Sequence, residues 1–208
     1  MIGRIRREDP EFPAALRDRS GEGAPDGLFF LGETGVLRQP LLGLVCSVRC
    51  PGGIVLRTFD AARALRDAGV AVIGGFHSPM EKECLDILLR GPQPVVLCPA
   101  RGLAGMRLGP VPRQVLREGR LLVLSPFAEN IRRTTTARAV QRNHRVAALA
   151  EALWVPHASP GGKAWTTVHA ALARRQPVFT FVNEHNGGLL EAGARPFTEL
   201  DLAALANR

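Results

Sequence analysis

Lysine is nearly absent from this sequence: Lys82 and Lys163 are the only two in 208 residues. Its basic charge therefore rests on arginine, whose planar guanidinium grips phosphate bidentately where an ammonium acts as a point charge. No apolar run is long enough to span a bilayer and no signal-peptide h-region opens the sequence. The chain reads as cytoplasmic, with no membrane partner. The four cysteines, Cys46, Cys50, Cys84 and Cys98, form no CxxC pair, and no histidine stands at zinc-finger spacing. That pattern points to no metal and no cofactor; Cys46 and Cys98 end apolar runs, where a free thiol acts as a small hydrophobe. Neither GxGxxG nor a P-loop occurs, which removes two glycine-rich phosphate fingerprints.

What is present is a basic, ordinary globular composition. Net charge is +8 and the pI is about 10.8, a balance that favours an acidic partner such as nucleic acid or nucleotide. With 46% hydrophobic and 22% charged residues, the chain is long enough for one domain with a sizeable core. Residues 1–26 are charged and irregular and read as an N-terminal extension, with a short helix around Pro13–Arg17. Residues 27–208 read as a single domain.

Within that domain, short apolar runs bounded by Gly and Pro alternate with helical patterns. The runs are Leu28–Leu31, Leu42–Cys46, Val70–Gly74, Pro94–Cys98, Leu121–Leu124, Leu153–His157 and Pro177–Val182. Such runs suit strands covered on both faces. Helices are expected over Gly53–Ala68, Pro79–Arg90, Arg113–Glu118, Thr136–Glu151, Gly162–Arg175 and Leu200–Asn207. The alternation predicts an α/β fold with right-handed crossovers and a mainly parallel sheet.

Ligands of open α/β sheets bind beyond the carboxyl ends of the strands, so the loops there carry the candidate residues. The second strand is followed by Ser47 and Arg49 in a Cys-Ser-Val-Arg-Cys-Pro-Gly-Gly turn, and the third by Gly74, Gly75 and His77. Ser78 is positioned to cap the next helix with Pro79 and Glu81, or to touch a ligand. Arg101 follows the fourth strand, and Arg132 and Arg133 trail the fifth. Arg142, Asn143 and Arg145 open an amphipathic helix in which Val146, Leu149, Ala150 and Leu153 share one face; the two arginines are either solvated charges or phosphate contacts. Gly161, Gly162, Lys163 and Thr166 follow the sixth strand. Together these turns outline a cationic groove for phosphates, with Phe76, Phe127 and Trp165 as candidate stacking platforms or core residues. Glu81 and Glu83 have no partnered nucleophile in sequence, and no catalytic group is expected.

With these segments in order, the chain resembles the DprA/Smf family of DNA-processing proteins. Leu44-Val45-Cys46-Ser47-Val48-Arg49 is similar to that family's IVGSR strand and loop. Gly69–Gly75 resembles GvxvvSG, and Arg142–Ala150 resembles RNRiIAgLS. Ser159–Thr167 resembles the SGsLiTA turn, and Asn186–Ala194 resembles GtnxLIxxGA. The resemblance implies an extended Rossmann-like three-layer fold, single-stranded DNA binding, delivery of a RecA-type recombinase in recombination or DNA uptake, and a homodimer. The family's ARGID..AH segment is here Phe76–Glu81, so its contact residues do not transfer. Two related readings stand beside it. One is a sensor domain for a nucleotide-derived ligand. The other is a LOG-type phosphoribohydrolase, whose PGGxGTxxE motif begins at Pro160-Gly161-Gly162 but then meets Ala164 and Trp165, without its acid.

Overall fold

Every apolar run overlaps a strand, with bounds shortened, extended or shifted from those expected, in the computed structural model, which describes residues 1–20, 23–198, 201 and 204. The strands are β1 (Gly3–Arg6), β2 (Gly27–Leu31), β3 (Leu42–Leu44), β4 (Val72–Gly74), β5 (Val95–Leu97), β6 (Leu121–Ser125), β7 (Ala152–Trp154), β8 (Val178–Thr180) and β9 (Arg195–Pro196). They form one nine-stranded sheet in the order β1-β2-β6-β5-β4-β3-β7-β8-β9. From β6 to β9 every neighbouring pair is parallel, whereas β2 runs antiparallel to both β6 and β1.

The helices are α1 (Ala14–Ser20), α2 (Gly52–Asp67), α3 (Pro79–Leu88), α4 (Pro110–Arg117), α5 (Thr136–Leu149), α6 (Lys163–Ala173) and α7 (Gly187–Glu191). Side chains alternate across each strand, and the two resulting faces seed two cores. Val96, Leu122, Leu124 and Leu153 face α1, α5, α6 and α7; Val95, Leu121, Val123 and Trp154 face α2, α3 and α4. The mainly parallel α/β sheet is the one expected from the alternation, and its three layers are the Rossmann-like arrangement that the family resemblance implies.

The N-terminal segment differs from its irregular reading. Ile5 is buried between exposed Arg4 and Arg6, so Gly3–Arg6 pairs with β2 as an edge strand. Two arginines in four residues hide the apolar signal, and they also blunt the open edge against further pairing. Phe12 and Leu16 join the core beneath α5. α7 and β9 were not expected; at five and two residues they are too short to show a period. The helix expected over Leu200–Asn207 falls largely outside the described residues.

The sheet order reverses between β3 and β7. β3 continues through α2 to β4 on one side, and β7 continues through α6 to β8 on the other. The loops leaving β3 and β7 therefore diverge, and a crevice opens between them.

Candidate nucleic-acid interface at the sheet switch point

That crevice is a cavity of about 650 Å³. The turn after β3 supplies Ser47 and Arg49, the loop after β4 supplies His77, and α5 supplies Arg142 and Asn143 from its middle. They do not open the helix as the sequence reading has it, because α5 starts nearly two turns earlier at Thr136, capped by Thr135. Gly161, Gly162 and Lys163 close it from the turn after β7. Eight sequence-nominated residues from four separate stretches thus line one space.

Arg142 forms its floor. It is 5% exposed, and its Nη1 donates to the Cys98 carbonyl at 3.1 Å. Its buried Nε has no hydrogen-bond partner. Burial pulls the guanidinium pKa below its ordinary value, with the Glu81 carboxylate opposing that shift. A cation held in a protein wall with a donor unspent is primed for an anion. Gly75 makes the position possible: a Cβ built there would lie 1.1 Å from Arg142 Nη1. The sequence nominates Gly74 and Gly75 as part of a ligand-touching loop. At Gly75 the space admits the protein's own guanidinium, while Gly74 is covered by the Phe76 ring.

The rim is set by short-range chemistry. Ser78 accepts from Glu81 N at 3.2 Å, while Glu81 Oε2 accepts from Ser78 N at 2.9 Å and His77 N at 3.1 Å. This capping box starts α3, fixes the His77 backbone, and occupies Glu81 structurally. Thr135 caps α5 by accepting from Arg138 N. In the turn after β7, Gly162 N donates to Ser159 O at 3.0 Å across Pro160-Gly161, with Gly161 at φ +71°, as a type II turn requires. Ser159 N also donates to Ser47 Oγ at 3.0 Å, and Ser47 N donates to His157 O at 3.0 Å. The β3 and β7 turns are thereby stitched together.

Other nominated residues lie elsewhere. Arg101 is half-buried and its carbonyl accepts from Ser125 Oγ. Arg132 and Arg133 are exposed on the approach to α5, outside the cavity lining. Thr166 is exposed, with its hydroxyl turned back to the Gly162 carbonyl at 3.2 Å. Arg145 reaches away to the Gly23 carbonyl, and burial pulls its pKa down. Phe76 and Phe127 are core residues, 4% and 8% exposed, and Trp165 packs against His169 with ring centroids 4.8 Å apart; none of the three lines the cavity. The lining also includes Thr134, Thr135, Thr136 and Ser159, which were not nominated. The run of three threonines at a helix start was the available signal.

The thiols divide by environment. Burial pushes Cys84 and Cys98 up to about 12. Cys46 and Cys50 hydrogen-bond to each other across the β3–α2 turn, which raises the Cys46 pKa and lowers that of half-buried Cys50.

The family model for DNA recombination-mediator protein A matches residues 4–201. The chain belongs to this family, that of DprA/Smf DNA-processing proteins. No curated protein sequence matches the chain. Among solved structures, DNA processing protein A (DprA) from Streptococcus pneumoniae superposes with a TM-score of 0.80 at 17% identity, over 98% of this chain and 73% of that one. DprA from Helicobacter pylori, solved for its single-stranded DNA binding mode, gives a TM-score of 0.79 at 19% identity, over 100% of this chain and 94% of that one. A molybdenum cofactor binding protein from Rippkaea orientalis shares the fold more distantly, with a TM-score of 0.54 at 10% identity, over 80% of this chain and 94% of that one. Like those two DprA structures, the present family member is a three-layer α/β protein. No helix among its described residues is long and apolar enough to cross a membrane.

Proposed function

We propose that this DprA-family chain binds single-stranded DNA at the switch-point cavity and assists DNA processing or recombination. The observation that carries the reading is the buried guanidinium of Arg142, with its unspent Nε, at the floor of a cavity rimmed by Arg49 and Lys163. A flexible single strand can dip one phosphate onto a recessed cation while its neighbours follow the rim; a stiff duplex cannot. Ser47, Asn143 and the Gly161-Gly162 turn supply neutral polar groups to orient the strand. His77 closes the side nearest α3. Arg101, Arg132, Arg133 and Thr166 remain as outer contacts for nucleotides leaving the cavity. The single-stranded DNA binding of the Helicobacter pylori protein supports this reading. Delivery of a RecA-type recombinase, a role in DNA uptake and a homodimer extend it, and binding itself needs no catalytic step.

A second reading is a nucleotide-derived small ligand in a sensing role. It is favoured by the cavity volume of about 650 Å³, within the usual range for small-molecule sites. Thermal shift separates the two. Stabilisation by a single-stranded oligonucleotide of about 20 residues, at low salt where phosphate contacts are strongest, supports the DNA reading. A large shift with one mononucleotide and none with oligonucleotides replaces it with sensing.

A further inference from the structure

Behind the cationic wall lies a hydrogen-bonded relay that phosphate binding leaves unexplained. His157 is 7% exposed and Asn186 1% exposed. His157 Nδ1 lies 2.9 Å from Asn186 Oδ1, and His157 Nε2 lies 3.2 Å from Ser159 Oγ. The proton positions follow from the surroundings. Asn186 Nδ2 donates to the carbonyls of Pro156 at 2.9 Å and Phe181 at 3.2 Å. It also donates to Thr180 Oγ1 at 3.1 Å, a hydroxyl that itself donates to Val155 O. Two of these three acceptors have no proton to give, so the amide cannot be flipped and Oδ1 must face His157. Oδ1 only accepts, so Nδ1 carries the ring proton. Nε2 is left with a lone pair directed at the Ser159 hydroxyl, the tautomer a general base needs.

The surroundings suit phosphorus rather than carbonyl chemistry. Ser159 lines the cavity with Arg142, Lys163 and Arg49. It stands one turn before α6, whose N-terminus has no side-chain cap and in which Thr166 N donates to Gly162 O at 3.0 Å. The amides of Lys163 and Ala164 lie ahead of that bond, where N–H groups meet anions.

We propose that Ser159 is a nucleophile for phosphoryl transfer on a bound phosphodiester, with His157 as its general base and Asn186 as the residue that positions His157. The assignment rests on the phosphodiester-binding reading of the same cavity. Ser159 Oγ passes its proton to His157 Nε2 and attacks phosphorus. The bond from phosphorus to the leaving ester oxygen, in line with and opposite Ser159 Oγ, breaks; that oxygen takes a proton from water, and Nε2 returns its own to the solvent. Water, deprotonated by Nε2, then attacks the phosphoserine diester and releases Ser159, whose oxygen recovers the proton. The net change is a phosphodiester plus water giving a phosphomonoester and an alcohol.

A dialkyl fluorophosphate tests the first step directly, because the same attack on tetrahedral phosphorus expels fluoride. The full chain is treated with the probe and mapped by peptide mass spectrometry, with thermal melts confirming that each variant is folded. The expected result is one adduct on Ser159, absent from Ser159→Ala and from urea-unfolded protein. It forms on the order of 100-fold or more slowly in His157→Gln, the usual share of a general base. Nitrogen-15 NMR of the wild-type imidazole, assigned with that variant, should show protonated Nδ1 and bare Nε2. No adduct, an adduct on another residue, or a proton on Nε2 overturns the proposal. Prior addition of a single-stranded oligonucleotide should slow labelling; an unprotected adduct despite bound oligonucleotide overturns the phosphodiester assignment. The binding reading fails separately, by absence of oligonucleotide binding at low salt.

Discussion

Replacing Arg142 with methionine separates a ligand-binding guanidinium from a structural one. The side chain is 5% exposed and makes one hydrogen bond, to Cys98 O at 3.1 Å. Its Nε is stranded, and its nearest opposing charge, Glu81, is committed to the α3 capping box. Losing the Cys98 bond costs about 1–2 kcal/mol, while relief of the stranded donor returns about 1–3 kcal/mol. Removing one partner of a buried ion pair is costly because it strands the other charge, but Arg142 forms no ion pair among the described residues, and Glu81 keeps its two backbone N–H bonds. Arg142→Met should therefore fold with unchanged or raised stability, a gain of roughly 0–2 kcal/mol. At about 2–4 °C per kcal/mol for a chain of this size, Tm stays level or rises by a few degrees. Oligonucleotide affinity should fall by about 10- to 100-fold, the worth of a charge-assisted bond in a recessed site. Calorimetric melting and fluorescence anisotropy read the two quantities on one preparation. A Tm drop beyond about 4 °C, more than 1 kcal/mol of lost stability, would show that the guanidinium is a strut for the fold and refute the reasoning.

Gly75→Ala places a methyl where Arg142 Nη1 now sits, 1.1 Å away; a urea melt should show a loss of about 1–3 kcal/mol, the cost of overpacking. In the double variant with Arg142→Met the clash has no second partner, so the two effects should be strongly non-additive, and simple additivity would place the clash elsewhere. Cys50, half-buried and with its thiol pKa lowered by the Cys46 hydrogen bond, should alkylate with iodoacetamide before the other cysteines. Its reaction should persist to lower pH than that of an unperturbed thiol, because the reactive thiolate is the favoured form there; Cys84 and Cys98, raised to about 12 and buried, should react only on unfolding. Equal modification of all four in the folded chain contradicts this ordering.

The parallel centre of the fold was legible because each of its strands is covered on both sides. Val95-Val96-Leu97 and Leu121–Leu124 must be apolar at every position, and Gly or Pro marks their ends. β1 was hidden because an edge strand shows one apolar side chain, Ile5, among arginines. The site was legible as far as topology dictates it. Loops leaving β3, β4 and β7 converge whatever their sequence, so Ser47, Arg49 and Lys163 could be nominated together. Contacts between residues far apart in sequence could not be. Nothing local shows that Gly75 hosts Arg142, or that His157 meets Asn186 across 29 positions. Arg132, Arg133 and Arg142 look alike as letters. Only the packing of α5 turns Arg142 into the cavity and leaves the other two in solvent.

The salt dependence of single-stranded oligonucleotide affinity tests the central claim most directly. Arg49, Arg142 and Lys163 together should neutralise about three phosphates, giving a slope of roughly −2 in log affinity against log salt at about −0.7 per contact. Arg49→Ala and Lys163→Ala should each make that slope shallower by about 0.7, with stability changed by no more than about 0.5 kcal/mol because both side chains are exposed. A flat slope, no binding at low salt, or a slope that both variants leave untouched would contradict a polyanion held at the β3–β7 crevice.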